Sequence, residues 1–135
     1  MHLDGKGAYD FHSVDGKLSW SGGVLRGGAP PVRVGDEYFC FFHGALDDER
    51  GHRVYPLGCY TFEAQPPFAP RRLTPDPLAW PDPAAKPEHW WPPTFYTGGS
   101  ALRDGRWLIA YGASDHVSKV ATFDAAGVEA ALCPI

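Results

Sequence analysis

The chain has 135 residues, of which 44% are hydrophobic, and its 12 lysines and arginines against 16 aspartates and glutamates leave a net charge of −4. This composition excludes disorder throughout and suffices for one domain with a core. The basic residues are scattered, which argues against a nucleic-acid partner. No apolar run reaches the roughly 20 residues of a membrane-spanning helix, so no membrane partner is predicted.

The first half of the chain predicts a sheet of four strands. Apolar, β-branched and aromatic residues fill residues 24–34, 38–43, 53–63 and 69–74. Gly35 and Asp36 stand between the first two strands, and these residue types tolerate the positive φ of a tight hairpin turn. Residues 38–42 are apolar in both phases of the strand, which indicates burial on both faces of the sheet.

The second half predicts a smaller sheet after a proline-rich connection. Residues 79–93 form this connection, because proline ends helices and central strands alike. Strands follow at residues 95–103, 106–112 and 117–124, with a hairpin turn at Asp104-Gly105. Only residues 125–133 have helical spacing of apolar side chains, and a frayed single turn is the alternative there.

The two halves also repeat one another. The stretch Phe42-His43-Gly44-Ala45-Leu46-Asp47 returns as Ala110-Tyr111-Gly112-Ala113-Ser114-Asp115. Repeated short strands are typical of β-propellers. We therefore predict an all-β fold, a partial β-propeller of about two four-stranded antiparallel blades within one domain, 1–135. Its parts are a remnant or lead-in strand (1–21), a first blade (22–78), the connection (79–93) and a second blade (94–135).

Two blades cannot close a ring. The prediction therefore includes missing blades or self-association that completes the fold, and a five-bladed propeller is the parent architecture. Cys40, Cys59 and Cys133 are odd in number and lack C-x-x-C spacing, so neither a structural metal nor a cofactor is predicted. Cys40 and Cys59 lie in apolar strands and are interpreted as small buried hydrophobes in a reducing, cytoplasmic setting.

Four motifs in register carry a family resemblance. They are Gly27-Gly28-Ala29-Pro30-Pro31, Phe42-His43-Gly44, Arg72-Leu73-Thr74-Pro75-Asp76-Pro77-Leu78 and Tyr111-Gly112-Ala113-Ser114-Asp115. Together they resemble the C-terminal blades of glycoside hydrolase family 130, the β-mannoside phosphorylases and β-mannosidases, whose corresponding motifs include Y-H-G and Y-G-A-A-D. The resemblance covers about residues 22–125 and implies a five-bladed propeller with its active site on the central axis.

The resemblance implies roles for single residues. His43 corresponds to the histidine that faces the central pocket and contacts phosphate in phosphorolytic members, and Asp115 to the aspartate that hydrogen-bonds the sugar at the cleaved linkage. Gly28 and Pro30 correspond to an innermost strand whose small residues let substrate approach the backbone. With Pro31, which matches the same motif, they form the implied substrate-binding strand.

Two departures from the family pattern bear on the reaction. Phosphorolytic members carry a lysine where this chain has Val24, which favours hydrolysis over phosphorolysis. Arg26 lies two residues on, on the same face of the strand by period-two spacing, and is the candidate anion contact. The family's general acid belongs to an early blade outside this chain, so no catalytic residue is assigned.

Other candidates come from the repeat itself. Asp47 and Asp115 recur at equivalent positions after a hairpin, either as site carboxylates or as turn aspartates that accept backbone hydrogen bonds. Tyr111 matches His43 and is a candidate to line the same axis. The cluster Trp90-Trp91-Pro92-Pro93, with Phe95 and Tyr96 after it, suits either sugar stacking or packing between blades, and packing is favoured.

The sequence thus predicts a carbohydrate-active protein that resembles inverting β-mannoside hydrolases or phosphorylases and is incomplete as an enzyme in this chain. Its predicted partners are a β-mannoside or related oligosaccharide, with inorganic phosphate as a candidate second ligand. The alternative is a non-catalytic carbohydrate-binding or accessory β-domain associated with a glycosyltransferase. A third hypothesis is an inactive truncated gene product.

Overall fold

A computed structural model describes residues 24–82 and 93–135 of the chain. The fold is all-β, with two antiparallel sheets and one short helix. The predicted all-β class is therefore confirmed. The predicted lead-in strand and most of the proline-rich connection, including Trp90 and Trp91, lie outside the described residues.

The first sheet is built from the predicted four-strand region, with two interruptions. Its strands are β1 (Val24–Gly28), β2 (Val32–Val34), β3 (Glu37–Asp47), β4 (Arg53–Val54), β5 (Leu57–Glu63) and β6 (Pro70–Leu73). The central order is β1-β3-β5-β6, with β2 and β4 also paired to β3. The predictions of unbroken strands over 24–34 and 53–63 were wrong. Pro30, Pro31 and Pro56 fall at the breaks, because proline cannot donate to a strand ladder.

The second sheet follows the predicted strands closely. It contains β7 (Phe95–Arg103), β8 (Arg106–Ala113) and β9 (Val117–Asp124) in the order β7-β8-β9. The turn between β7 and β8 has positive φ at Asp104 (50°) and Gly105 (72°), as the hairpin prediction requires. Within the described residues this sheet has three strands, one fewer than the four-stranded blade that we predict.

After β9 the chain returns to the first sheet. Helix α1 (Ala125–Ala131) begins where the Asp124 carboxylate accepts a hydrogen bond of 2.9 Å from the backbone N–H of Gly127. Strand β10 (Cys133–Pro134) then pairs antiparallel with β6. The helix predicted over 125–133 is confirmed over its first seven residues, and the C-terminal end of the described chain extends the edge of the first sheet.

The core lies between the two sheets. Phe41 of β3 meets Trp107 of β8 edge to face, with ring centroids 4.9 Å apart, and both side chains are fully buried. Ile109 of β8 and Val128 of α1 join the same buried cluster. The helix therefore covers one margin of the contact between the sheets, and burial of apolar surface holds the two sheets together.

An ion-pair network ties α1 to the first sheet. Arg72 of β6 binds the buried Glu37 of β3 and also donates a hydrogen bond of 2.6 Å to Glu129 of α1. Burial raises the pKa of Glu37, but hydrogen bonds led by that from Arg72 outweigh burial and hold this pKa below its ordinary value. Glu37 is therefore ionised at neutral pH and stabilises the docked C-terminal segment.

The three cysteines differ in their burial. Cys40 and Cys59 are buried and Cys133 is exposed, and all three are free thiols, so the interpretation of the first two as buried hydrophobes is confirmed. In residues 24–82 and 93–135 no helix has the length and apolar character needed to cross a bilayer.

Candidate functional site

Backbone hydrogen bonds draw three segments together at one end of the sheets. The N–H of Phe95 donates to the carbonyl of Tyr55 (2.8 Å), which joins the start of β7 to the segment before β5. The N–H of Ser114 donates to the carbonyl of Thr94 (3.0 Å), which joins the turn after β8 to the same place. Near this end lie the side chains that we call the sheet-end corner: Arg26, His43, Tyr55, Tyr96 and Asp115.

His43 occupies the buried side of the sheet-end corner. Its ring centroid lies 5.0 Å from that of Tyr96 and 6.1 Å from that of Tyr55. Only 8% of His43 is exposed, whereas 54% of Tyr96 is exposed. The Nδ1 atom of His43 is buried and has no hydrogen-bond partner among the described residues. A buried polar atom without a partner is rare in folded proteins.

The electrostatic setting of His43 has contributions from two predicted site residues. Burial lowers the pKa of His43, and the positive charge of Arg26 lowers it further, while the Gly27 backbone and the Asp115 carboxylate act in the opposite direction. The net effect is a lowered pKa, so the imidazole is neutral at pH 7. A neutral imidazole has one nitrogen that donates and one that accepts a hydrogen bond.

Asp115 projects from a tight turn between β8 and β9. The N–H of His116 donates to the carbonyl of Ala113 (3.1 Å), and both residues between them have positive φ, 51° at Ser114 and 53° at Asp115. The side chain of Asp115 is exposed. No hydrogen bond to its carboxylate is found among residues 24–82 and 93–135.

Asp48 shows how an aspartate can stabilise its own turn. The carboxylate of Asp48 accepts hydrogen bonds from the backbone N–H groups of Arg50 (2.9 Å) and His52 (2.8 Å), as a structural turn aspartate does. Asp115 does not stabilise its own turn in this way. The hydrogen bonds of a structural turn aspartate are not seen for Asp115 among the described residues, and its role in a site stays a prediction.

Asp47, the other aspartate of the repeat, has different surroundings. It ends β3 and pairs with Arg53 of β4, with 2.8 Å between the guanidinium Nε and the carboxylate oxygen. Both side chains are about half exposed. The two aspartates are equivalent in the sequence repeat, yet the first is held by a cation in a strand ladder and the second is held in a turn.

Gly28 and Pro30 lie at the break between β1 and β2. A Cβ atom on Gly28 would stand 2.0 Å from the carbonyl oxygen of Phe41, and the N–H of Ala29 donates to this oxygen (2.8 Å). The close approach of the two strands therefore explains the glycine at position 28, and no ligand is needed to account for it. Pro30 is exposed. The substrate contacts that the resemblance implies for these two residues stay predictions.

The aromatic candidates divide between the core and the surface. Tyr111 stacks on Phe95 with ring centroids 3.7 Å apart, and no ring contact between Tyr111 and His43 exists among the described residues. Tyr96 and Tyr55 are the aromatic residues whose rings contact His43 within the described part of the chain, and sequence analysis grouped Tyr96 only with the tryptophan cluster. An aromatic residue next to a buried one in a strand faces the opposite side, and this signal alone could have singled out Tyr96.

Two further observations concern possible ligands. A shallow groove of about 350 Å³ runs from Tyr96 over Gly98 and Gly112 to Val120 on the outer face of the second sheet. Among the described residues no three histidines, cysteines or acidic residues stand close enough together to hold a metal ion. The side chains of the sheet-end corner can thus donate and accept hydrogen bonds, present one carboxylate and one guanidinium, and offer an exposed ring face.

Comparison with known proteins gives one weak relationship. No family model matches the chain. The chain is 26% identical over 106 residues to a protein of Thermoanaerobacter sp. (strain X514) named 1,2-beta-oligomannan phosphorylase. The aligned part is 78% of this chain and 34% of the relative, so the chain spans about a third of the length of the curated protein that it matches. At this identity and coverage the relationship gives loose support to the resemblance to glycoside hydrolase family 130.

Proposed function

We propose that this chain provides a sugar-binding corner of a protein that acts on β-mannoside oligosaccharides. The observation that carries the proposal is the exposed ring of Tyr96 beside His43, whose buried Nδ1 has no hydrogen-bond partner among the described residues. A sugar suits this place, because its C–H faces pack on aromatic rings and its hydroxyl groups exchange hydrogen bonds with polar side chains such as the exposed Asp115. The name of the Thermoanaerobacter relative supports a mannoside as the sugar.

Each side chain of the corner has a distinct role in this proposal. The neutral imidazole of His43 exchanges a hydrogen bond with one sugar hydroxyl. Asp115 accepts from one or two hydroxyls, and a hydrogen bond to a charged group contributes about 1.5–3 kcal/mol. Arg26 donates to a hydroxyl or to an anion. Tyr96 forms the wall on which the ring of the sugar rests.

The chemistry that we propose is inversion at the glycosidic carbon. It needs a carboxylic acid to protonate the leaving oxygen, and the resemblance assigns this acid to an early blade of a five-bladed propeller, outside this chain. In the proposal the two sheets are two of its blades. Water is favoured over phosphate as the nucleophile, because Val24 stands where phosphorolytic members have lysine. Arg26 beside His43 supports the phosphate alternative, as does the relative's name.

A second candidate is a non-catalytic carbohydrate-binding domain. The observation in its favour is the state of Asp47, the second carboxylate predicted for the rim, which Arg53 already holds in an ion pair. One free carboxylate at the corner suffices to bind a sugar, whereas glycoside cleavage by two carboxyl groups requires a pair. The two candidates differ in turnover but share the binding site.

Titration calorimetry with β-1,2-mannobiose tests the binding proposal. We expect saturable binding that falls at least about tenfold in His43→Gln and in Asp115→Asn, since each loses one hydrogen bond to the sugar. Asp47→Asn is the matched control and should bind as the wild type does. Absence of binding by the wild-type chain, or equal losses in all three variants, would refute the proposal.

Product analysis separates the reactions. Mannose released without phosphate indicates hydrolysis, and mannose 1-phosphate formed only with added phosphate indicates phosphorolysis. Binding without either product selects the non-catalytic candidate. An Arg26→Gln variant that loses only the phosphate-dependent product would assign the anion contact to this residue.

A further inference from the structure

The turn that carries Asp115 has an unusual backbone. Ser114 and Asp115 both adopt the left-handed region, with φ of 51° and 53°. This pair of conformations normally selects Asn-Gly, Asp-Gly or Gly-Gly, because a Cβ atom is unfavourable at positive φ. At the corresponding turn between β7 and β8, Gly105 occupies the second position. The β8–β9 turn has no glycine and is therefore strained.

Ser114 anchors the strained turn to the rest of the structure. Only 3% of Ser114 is exposed, and its N–H donates to the carbonyl of Thr94 at the start of β7. Its hydroxyl oxygen is buried without a hydrogen-bond partner among the described residues, a second local cost. The hydrogen bond to Thr94, the residue before β7, therefore holds the backbone of Ser114, while the next residue is exposed.

We propose that Ser114 is a positioning residue: its buried, left-handed backbone fixes the direction in which Asp115 presents its free carboxylate at the sheet-end corner. This inference rests on the proposed function, in which Asp115 binds the sugar. Strain at a binding site persists when it preorganises a group for its ligand, because a group fixed in advance loses less conformational entropy on binding. Left-handed residues that served only to close a hairpin would gain from glycine.

Two substitutions of Ser114 separate rigidity from side-chain chemistry. Ser114→Gly removes the steric cost of positive φ and lets the turn sample other conformations. Ser114→Ala removes the unpartnered hydroxyl but keeps the Cβ atom and the restricted backbone, so it is the matched control. We expect Ser114→Gly to raise Tm by about 2–4 °C and to weaken binding of β-1,2-mannobiose by about 3- to 10-fold. Ser114→Ala should bind as the wild type does.

A second readout reports the position of Asp115 without any sugar. The Asp115 carboxylate raises the pKa of His43, so the imidazole resonance of His43 in an NMR titration senses how well the carboxylate is held. We expect the pKa of His43 to fall in Asp115→Asn and to shift toward that value in Ser114→Gly, but not in Ser114→Ala. The resonance is assigned by its absence in His43→Gln.

The outcomes distinguish this inference from the proposed function. If the wild-type chain does not bind β-1,2-mannobiose, the proposed function fails, and the Tm and the pKa of His43 still test whether Ser114 fixes Asp115. If Ser114→Gly leaves the pKa of His43 unchanged, or binds the sugar as tightly as the wild type, the positioning role is refuted. If Ser114→Gly does not raise Tm, the turn is not strained and the inference is overturned.

Discussion

Replacing Gly28 by alanine is the sharpest test of how the first sheet is built. The added Cβ atom would stand 2.0 Å from the Phe41 carbonyl oxygen and 2.7 Å from the Phe42 Cα, whereas real Cβ atoms essentially never come within 3.0 Å of a heavy atom. Both contacts are backbone atoms, so the strands themselves must separate by about 1 Å. The hydrogen bond from the N–H of Ala29 to the same carbonyl would lengthen with them.

The expected loss of stability follows from these two effects. Overpacking costs about 1–3 kcal/mol and a weakened buried hydrogen bond about 1 kcal/mol, so Gly28→Ala should lower the free energy of unfolding by about 2–4 kcal/mol. Urea denaturation followed by tryptophan fluorescence measures it. Gly27→Ala is the matched control, because a Cβ atom there meets nothing within 4 Å, and it should change the stability by less than about 0.5 kcal/mol. Equal effects of the two substitutions would refute the close approach of β1 to β3.

Three further predictions concern pH and packing. Because the pKa of His43 is lowered in the folded state, the unfolded chain takes up a proton at a higher pH than the folded chain does. Stability should therefore fall as pH drops below about 6.5, and His43→Gln should weaken this pH dependence of the urea midpoint. Because the pKa of Glu37 is lowered, the stability that this carboxylate contributes is complete above about pH 4.5, the pKa of the unfolded state, and is lost in more acidic solution. At pH 7 we expect Glu37→Gln to lower the free energy of unfolding by about 2–4 kcal/mol, and the exposed Glu129→Gln to lower it by less than about 1 kcal/mol. Val128→Ala should lower the free energy of unfolding by about 2 kcal/mol. An unchanged urea midpoint would show that α1 does not pack on the core.

The strands could be predicted because their signals are local. Apolar runs separated by Gly35 and by Asp104-Gly105 give the strand positions and hairpins of both sheets, since turn chemistry and side-chain period act over a few residues. The same local rules fail where a proline interrupts an otherwise apolar run. The breaks at Pro30 and Pro56 required attention to the missing N–H donor, and the apolar pattern alone concealed them.

The candidate site divides in the same way. Sequence analysis selected His43, Arg26 and Asp115 through the repeat and the resemblance, and the charges of Arg26 and Asp115 both act on His43 in the structure. It treated Asp47 as the equivalent of Asp115, because a repeat in sequence shows position in a strand but not the partner across it. The pairing of Asp47 with Arg53 depends on the register of β3 and β4.

The sequence by itself determined the all-β class and most strand positions, because these depend on composition and short-range pattern. Only the tertiary structure decided which atoms remain without partners. The buried Nδ1 of His43, which has no partner among the described residues, and the exposed ring of Tyr96 lie where segments distant in the chain meet. Hydrogen bonds between such segments cannot be deduced from the order of residues along either one.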